Sequence, residues 1–285
     1  MNHLLKQVII TSRPAGWVIF WVAYLGGFFV AQRALATFDV LYLLGAIPVL
    51  SFALYSVNDI YDYESDVNND RKKLAIMGGV LDKCYWPTFT KLSIASCILV
   101  VLFPIVFGYL IVALCSVLGL MIGIGYSIPP LRFKTLPGGD IAANTLGFVT
   151  LFLVGLLQNP SLELITFAAP YLLISSLMVV AWSLLFLSVD ISPDKRARDA
   201  TTSVRIGSVP SYVLSAVGYI TCGYIMQYFV LSPVVSFLLY ASALLSLLPI
   251  LPGLPKTPKI APVIIIIITL LNIIAYCSLY TRFVL

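Results

Sequence analysis

The sequence predicts an all-α bundle of membrane-spanning helices, and three observations predict it. Of 285 residues, 60% are hydrophobic and only 10% charged, where a soluble domain is about a quarter charged and about half apolar. The mean hydropathy is +1.02. The uncharged stretches between charged residues have lengths that fit one or two bilayer crossings, without the alternation a membrane barrel needs. Together these features exclude a soluble enzyme, a disordered chain and a disulfide scaffold. A net charge of +5 on so insoluble a body makes no nucleic-acid surface.

A crossing helix needs about 20 residues at a rise of about 1.5 Å. Residues 14–32 and 40–58 give 19 each, and 92–131 gives 40. Residues 141–162 give 22, 164–189 give 26, 206–255 give 50 and 260–281 give 22. The two long stretches each hold two helices, with turns expected near Gly108–Tyr109 and Ser232–Pro233. Nine helices are therefore expected, in one domain over residues 1–285.

With nine crossings, one side collects Lys6, Arg13, Arg71, Lys72, Lys73, Lys83, Lys91, Arg132, Lys134, Lys195, Arg196, Arg198, Arg205, Lys256 and Lys259, which is 15 of the 17 basic residues. Only Arg33 and Arg282 fall opposite. By the positive-inside rule the N-terminus is cytoplasmic and the C-terminus is on the other side. The run before Ala34-Leu35-Ala36 imitates a cleaved signal, but it is long for one and Arg33 adjoins the cut, so it is expected to remain as the first helix.

The five cysteines show no CxxC spacing and read as small apolar packing residues. His3 stands alone, and no nucleotide-binding GxxxxGK[ST] loop occurs.

The acids carry the chemical signal. Nine of the twelve lie in two loops at the same membrane face, at the ends of the second and sixth expected helices. The first cluster reads Asn58-Asp59-Ile60-Tyr61-Asp62-Tyr63-Glu64-Ser65-Asp66. On a continuous helix, Asp59, Asp62 and Asp66 share one face. Stacked carboxylates repel, so a cation is expected there. Three carboxylates with one carboxamide suit Mg²⁺, a hard ion commonly shared between a few carboxylates and substrate phosphates. The second cluster reads Asp190-Ile191-Ser192-Pro193-Asp194-Lys195-Arg196. Pro193 either ends the sixth helix or opens a new one capped by Ser192, with Asp194 in its first turn. Basic residues follow both clusters. A third feature is Tyr126-Ser127-Ile128-Pro129-Pro130-Leu131-Arg132-Phe133-Lys134. Its prolines stop a helix, and the alternation lets Arg132 and Lys134 point the same way.

These three features resemble the UbiA superfamily of intramembrane prenyltransferases. Its NDxxDxxxD motif is matched by Asn58, Asp59, Asp62 and Asp66, and its DxxxD motif by Asp190 and Asp194. The YSxPP segment is similar to the branch containing chlorophyll synthases, homogentisate prenyltransferases and lycopene elongase-type enzymes. Ser12-Arg13-Pro14 and the Asp-Ile-x-Pro-Asp motif look nearest to the carotenoid group. The chain departs from the pattern at Arg198, where members often have glycine, and at Ala200, where a basic residue is usual.

The resemblance implies helices around a central cavity, a prenyl diphosphate donor, a lipophilic acceptor and two Mg²⁺ ions. Asp59, Asp62 and Asp66 would hold one ion with help from Asn58, and Asp190 and Asp194 the second. Lys72, Lys73, Arg132, Lys134 and Lys195 are candidates for diphosphate contacts, with Arg71 and Tyr126 behind them. The acceptor is a carotenoid such as lycopene, or an aromatic quinone or chlorophyll precursor. A terpene cyclase of the same fold is one alternative. A cation-coupled transporter is another, although transporter acids lie near the midplane rather than at helix ends. The sequence leaves the oligomeric state open.

Overall fold

A computed structural model describes residues 3–67, 79–196, 199–230, 232–251 and 260–280. The described chain is helical, as its composition demands. It opens with α1 (His3–Thr11) and α2 (Pro14–Val30), bent by 41° across Ser12–Arg13. Pro14 supplies the start of α2, where its missing N–H is not needed.

There follow α3 (Thr37–Tyr61), the short α4 (Tyr63–Val67), α5 (Lys83–Val106), α6 (Leu110–Ser127), α7 (Gly139–Leu156) and α8 (Leu162–Val189). Two short helices, α9 (Ile191–Arg196) and α10 (Thr202–Ile206), precede α11 (Ser208–Tyr228), α12 (Pro233–Ile250) and α13 (Ile260–Tyr280). Among the described residues seven of these are long and apolar enough to cross a bilayer, and the bent pair α1–α2 makes an eighth candidate. The ninth expected segment is α13, whose fully described part, Val263–Leu279, is shorter than a span.

The expected turns are where the sequence places them. Gly108 takes φ +82°, which ends α5 and turns the chain into α6. Ser232 is extended and Pro233 opens α12. Ser161 caps α8 by accepting from the Leu164 N–H at 3.0 Å.

The helices gather into two compact units. The first comprises Met1–Phe28, Arg33–Phe133 and Thr150–Asn159, the second Phe29–Gln32, Lys134–Val149 and Pro160–Leu285. In the first, α3, α5 and α6 pack on one another. Gly27 lies so close to the second half of α7 that a Cβ there would stand 1.9 Å from the Phe152 carbonyl oxygen. Membrane helices approach this closely only through small residues. In the second unit, α11 packs on α8 and α12, and α13 on α12 and α8.

The first unit also contains a buried polar knot at the start of α3. Arg33 donates to both oxygens of Asp39, at 2.7 and 2.6 Å, and to the Gly155 carbonyl at 3.1 Å. Tyr24 donates a short hydrogen bond to Asp39, and Gln158 donates to Asp39 and Tyr24 at 3.0 Å. Asp39 is thereby satisfied although fully buried. Removing one partner of such a pair strands a charge. Arg33→Leu is expected to cost about 3 kcal/mol, read as a lower thermal midpoint in detergent. An unchanged midpoint would show that the knot is dispensable.

Candidate functional site

The first acid motif sits at the far end of α3 from that knot, about 30 Å away at a helical rise of about 1.5 Å per residue. Its helix is not continuous. Tyr61 ends α3, Asp62 takes φ −101° and ψ 11°, and Asp66 belongs to α4. The expected single face over residues 58–66 is thus corrected to two helices hinged at Asp62. The Asp62 N–H still bonds the Asn58 carbonyl at 2.8 Å, and the Asp66 N–H bonds the Asp62 carbonyl at 2.9 Å. All three carboxylates are buried, with Asp59 1%, Asp62 8% and Asp66 7% exposed.

Buried like charges call for a cation, and the first unit supplies one that sequence spacing did not reveal. Arg13 donates from Nη2 to Asp59 Oδ1 at 2.6 Å and to Asn58 Oδ1 at 3.0 Å. Its guanidinium lies 4.0 Å over the Tyr55 ring. Asn58 uses its amide nitrogen on Asp62 Oδ2 at 2.5 Å and on Ser127 Oγ at 3.0 Å. Arg132 stands 3.9 Å from Asp62 and is about a third exposed. Both arginines have positive φ, +49° at Arg13 and +31° at Arg132. Such backbone is costly for residues other than glycine and gathers at functional sites. Tyr126 is half-buried. Lys72 and Lys73, with Arg71, lie outside the described residues.

The second motif lies in the second unit. Asp190 closes α8, and its carbonyl accepts from the Asp194 N–H at 2.9 Å. The new helix starts at Ile191, so Pro193 is its third residue and Ser192 is not its cap. Pro193 fits there because the first turn leaves its N–H positions without helical partners. Burial, then the neighbouring Asp190 carboxylate, push the Asp194 carboxyl up to about 7, against the Thr201 hydroxyl and Lys134. Thr201 donates to Asp194 Oδ2 at 2.9 Å. Lys195 is exposed.

Lys134 and Arg132 do not share a direction. Lys134 is buried and pairs with Asp199 at 2.6 Å, with Lys134 5% and Asp199 3% exposed. Its charge is already matched there, whereas Arg132 reaches Asp62.

The donor set fits Mg²⁺. Carboxylates at both motifs are hard oxygen ligands, and burial together with the neighbouring Asp190 carboxylate raises the Asp194 carboxyl, which a bound cation would reverse. No three acidic, histidine or cysteine side chains enclose an ion among the described residues. Such open sites suit an ion that keeps waters and completes its shell with substrate phosphates. An apolar groove of about 580 Å³ lies between α5 and α6, ending at Pro129–Leu131 beside Arg132. Its walls expose Ile98, Leu102 and Met121, so it faces lipid.

The model of the UbiA prenyltransferase family matches residues 16–255. A lycopene elongase/hydratase of Corynebacterium glutamicum is 31% identical over 230 residues, covering 77% of this chain and 76% of that protein. A lycopene elongase/hydratase of Haloarcula japonica is 28% identical over 240 residues, covering 79% and 75%. Among solved structures, a UbiA homologue from Archaeoglobus fulgidus bound to DMAPP and Mg²⁺ superposes with a TM-score of 0.65 at 20% identity, over 96% of this chain and 99% of that one.

Proposed function

Since the chain belongs to the UbiA prenyltransferase family, we propose that this intramembrane prenyltransferase alkylates an acyclic carotenoid of the lycopene type, using an allylic prenyl diphosphate and Mg²⁺. The observation that carries the site is the buried set Asp59, Asp62 and Asp66 at the end of a membrane helix, with Arg13 and Arg132 against it. The acceptor class rests on the names of the curated relatives, one of them 31% identical.

Asp59, Asp62 and Asp66, with Asn58 orienting Asp62, are the residues that would hold one Mg²⁺. Asp190 and Asp194 would hold a second. Bound Mg²⁺ supplies positive charge against the diphosphate as the allylic C–O bond breaks. Arg132 and Lys195, with Lys72 and Lys73, would add charge-assisted hydrogen bonds to phosphate oxygens, with Tyr126 as a further candidate. Lys134 keeps its place against Asp199. Diphosphate leaves with the bonding electrons, and the carbocation is attacked by the π electrons of the acceptor's terminal double bond. The new cation then loses a proton or takes up water. In this reading diphosphate or water takes the proton. The motifs and the N-terminus face the cytoplasm in this reading, following the 15 basic residues on that side.

The test is diphosphate release from purified protein given dimethylallyl or geranylgeranyl diphosphate, with lycopene, homogentisate, a quinone precursor or no acceptor. Release that requires both Mg²⁺ and lycopene, with a product heavier by the prenyl group or by that group plus water, is expected. Release without an acceptor, accompanied by a cyclic hydrocarbon, would replace this reading with a terpene cyclase.

A further inference from the structure

Asp140 belongs to neither acid motif, yet it is fully buried and saturated with hydrogen bonds. Its Oδ2 accepts from the Thr202 N–H at 2.7 Å. Its Oδ1 accepts a short bond from the Thr202 hydroxyl and another from the Ile141 N–H at 2.8 Å. The same Thr202 oxygen accepts from the Gly138 N–H at 3.0 Å. Thr202 is therefore fixed through its backbone and its side chain together.

Its neighbour Thr201 is the residue that donates to Asp194 Oδ2 at 2.9 Å. A bond to one oxygen restricts the rotation of a carboxylate and so favours one direction for its other oxygen. Two further links hold the same segment. Asp199 pairs with Lys134 at 2.6 Å, and its N–H bonds the Asp194 carbonyl at 2.9 Å. Arg205 donates to the Thr135 carbonyl at 3.1 Å and to the Ala200 carbonyl at 2.8 Å. Residues 199–205 are thus clasped to the turn before α7 and to its first residues, all within the second unit.

We propose that Thr201 and Asp140 are positioning residues for the ion site at Asp190 and Asp194, Thr201 by orienting the Asp194 carboxylate and Asp140 by holding Thr201 in place through Thr202. The proposal rests on the reading that these two aspartates bind Mg²⁺. Groups that orient metal ligands typically change affinity or activity by about 10–100-fold when removed. Thr201→Val keeps the size and loses the donor. Asp140→Asn keeps the shape but turns one acceptor edge into a donor facing N–H or O–H groups.

The experiment titrates the detergent-solubilised full chain with Mn²⁺ alone and counts bound ion by electron paramagnetic resonance. Asp194→Ala is the blank that defines the second site. Thr201→Val and Asp140→Asn are each expected to weaken that site about 10-fold, while Thr201→Ser stays within about twofold of the parent. Because Asp140 acts through Thr201, the double variant should lose no more than the worse single one. In turnover, the Mg²⁺ requirement should rise in step, with kcat at saturating Mg²⁺ recovered. Unchanged Mn²⁺ affinity in Thr201→Val, or losses that multiply in the double variant, would overturn the proposal alone. Equal Mn²⁺ binding by the parent and Asp194→Ala would overturn it together with the metal role of the second motif.

Discussion

Asp62→Ala and Asp190→Ala, each purified in folded form, are expected to release diphosphate about 10³-fold more slowly than the parent. In the proposed mechanism each substitution removes a carboxylate that would hold Mg²⁺ against the departing diphosphate. Asp62 is also the hinge between α3 and α4, the acceptor of the Asn58 amide and the partner of Arg132. Its loss should therefore raise the donor KM as well as lower kcat. Asp190 closes α8 without interrupting it, so its variant should show a fall mainly in kcat and in Mg²⁺ affinity. A thermal midpoint near that of the parent separates these effects from misfolding. Full activity in either variant removes that motif from the mechanism.

Arg13→Leu carries the second large effect. It leaves Asp59, whose side chain is fully buried, without the guanidinium 2.6 Å away. Breaking a buried pair from one side costs about 3–5 kcal/mol, so the thermal midpoint should fall by several degrees. Mg²⁺ should recover part of that loss, because an ion at Asp59 replaces the missing positive charge. Arg13→Lys should fall between the two. An ammonium retains the charge but lacks the planar guanidinium that stacks on Tyr55 while its Nη2 reaches Asn58 and Asp59. A Leu variant with an unchanged midpoint and no added response to Mg²⁺ would show that Arg13 does not neutralise the motif.

The sequence states helices and motifs well because both are local. Uncharged lengths mark the spans, Gly108 and Ser232–Pro233 mark the tight turns, and aspartates at i,i+4 announce a charge that needs a partner. Identifying that partner is not local. Arg13 and Asp59 are 46 residues apart, and Asp140 and Thr202 are 62 apart. No periodicity reports such pairs, although Arg13 beside Pro14 at the mouth of a helix was a cation in need of an acid. The hinge at Asp62 was hidden for a different reason. Residues 58–66 contain neither glycine nor proline, so no strong helix breaker marks the position, and the weak preferences of Asn, Asp and Ser are spread along the segment rather than centred on Asp62. Arg132 and Lys134 illustrate the limit of alternation, which assigns a shared face only while the backbone stays extended. Phe133–Thr135 instead forms a 3₁₀ turn, and the two side chains find different carboxylates.

The ion pair between Lys134 and Asp199 also constrains how this chain can be inherited. Either residue replaced alone would strand a charge that has almost no access to solvent, at a cost of about 3–5 kcal/mol. Both replaced together by apolar side chains of similar volume would cost little or even add stability. Descent through single substitutions therefore has to cross a valley at these two positions. Relatives should accordingly carry both members or neither, and a lineage that kept the lysine after losing the aspartate would hold a spare cation two residues beyond Arg132.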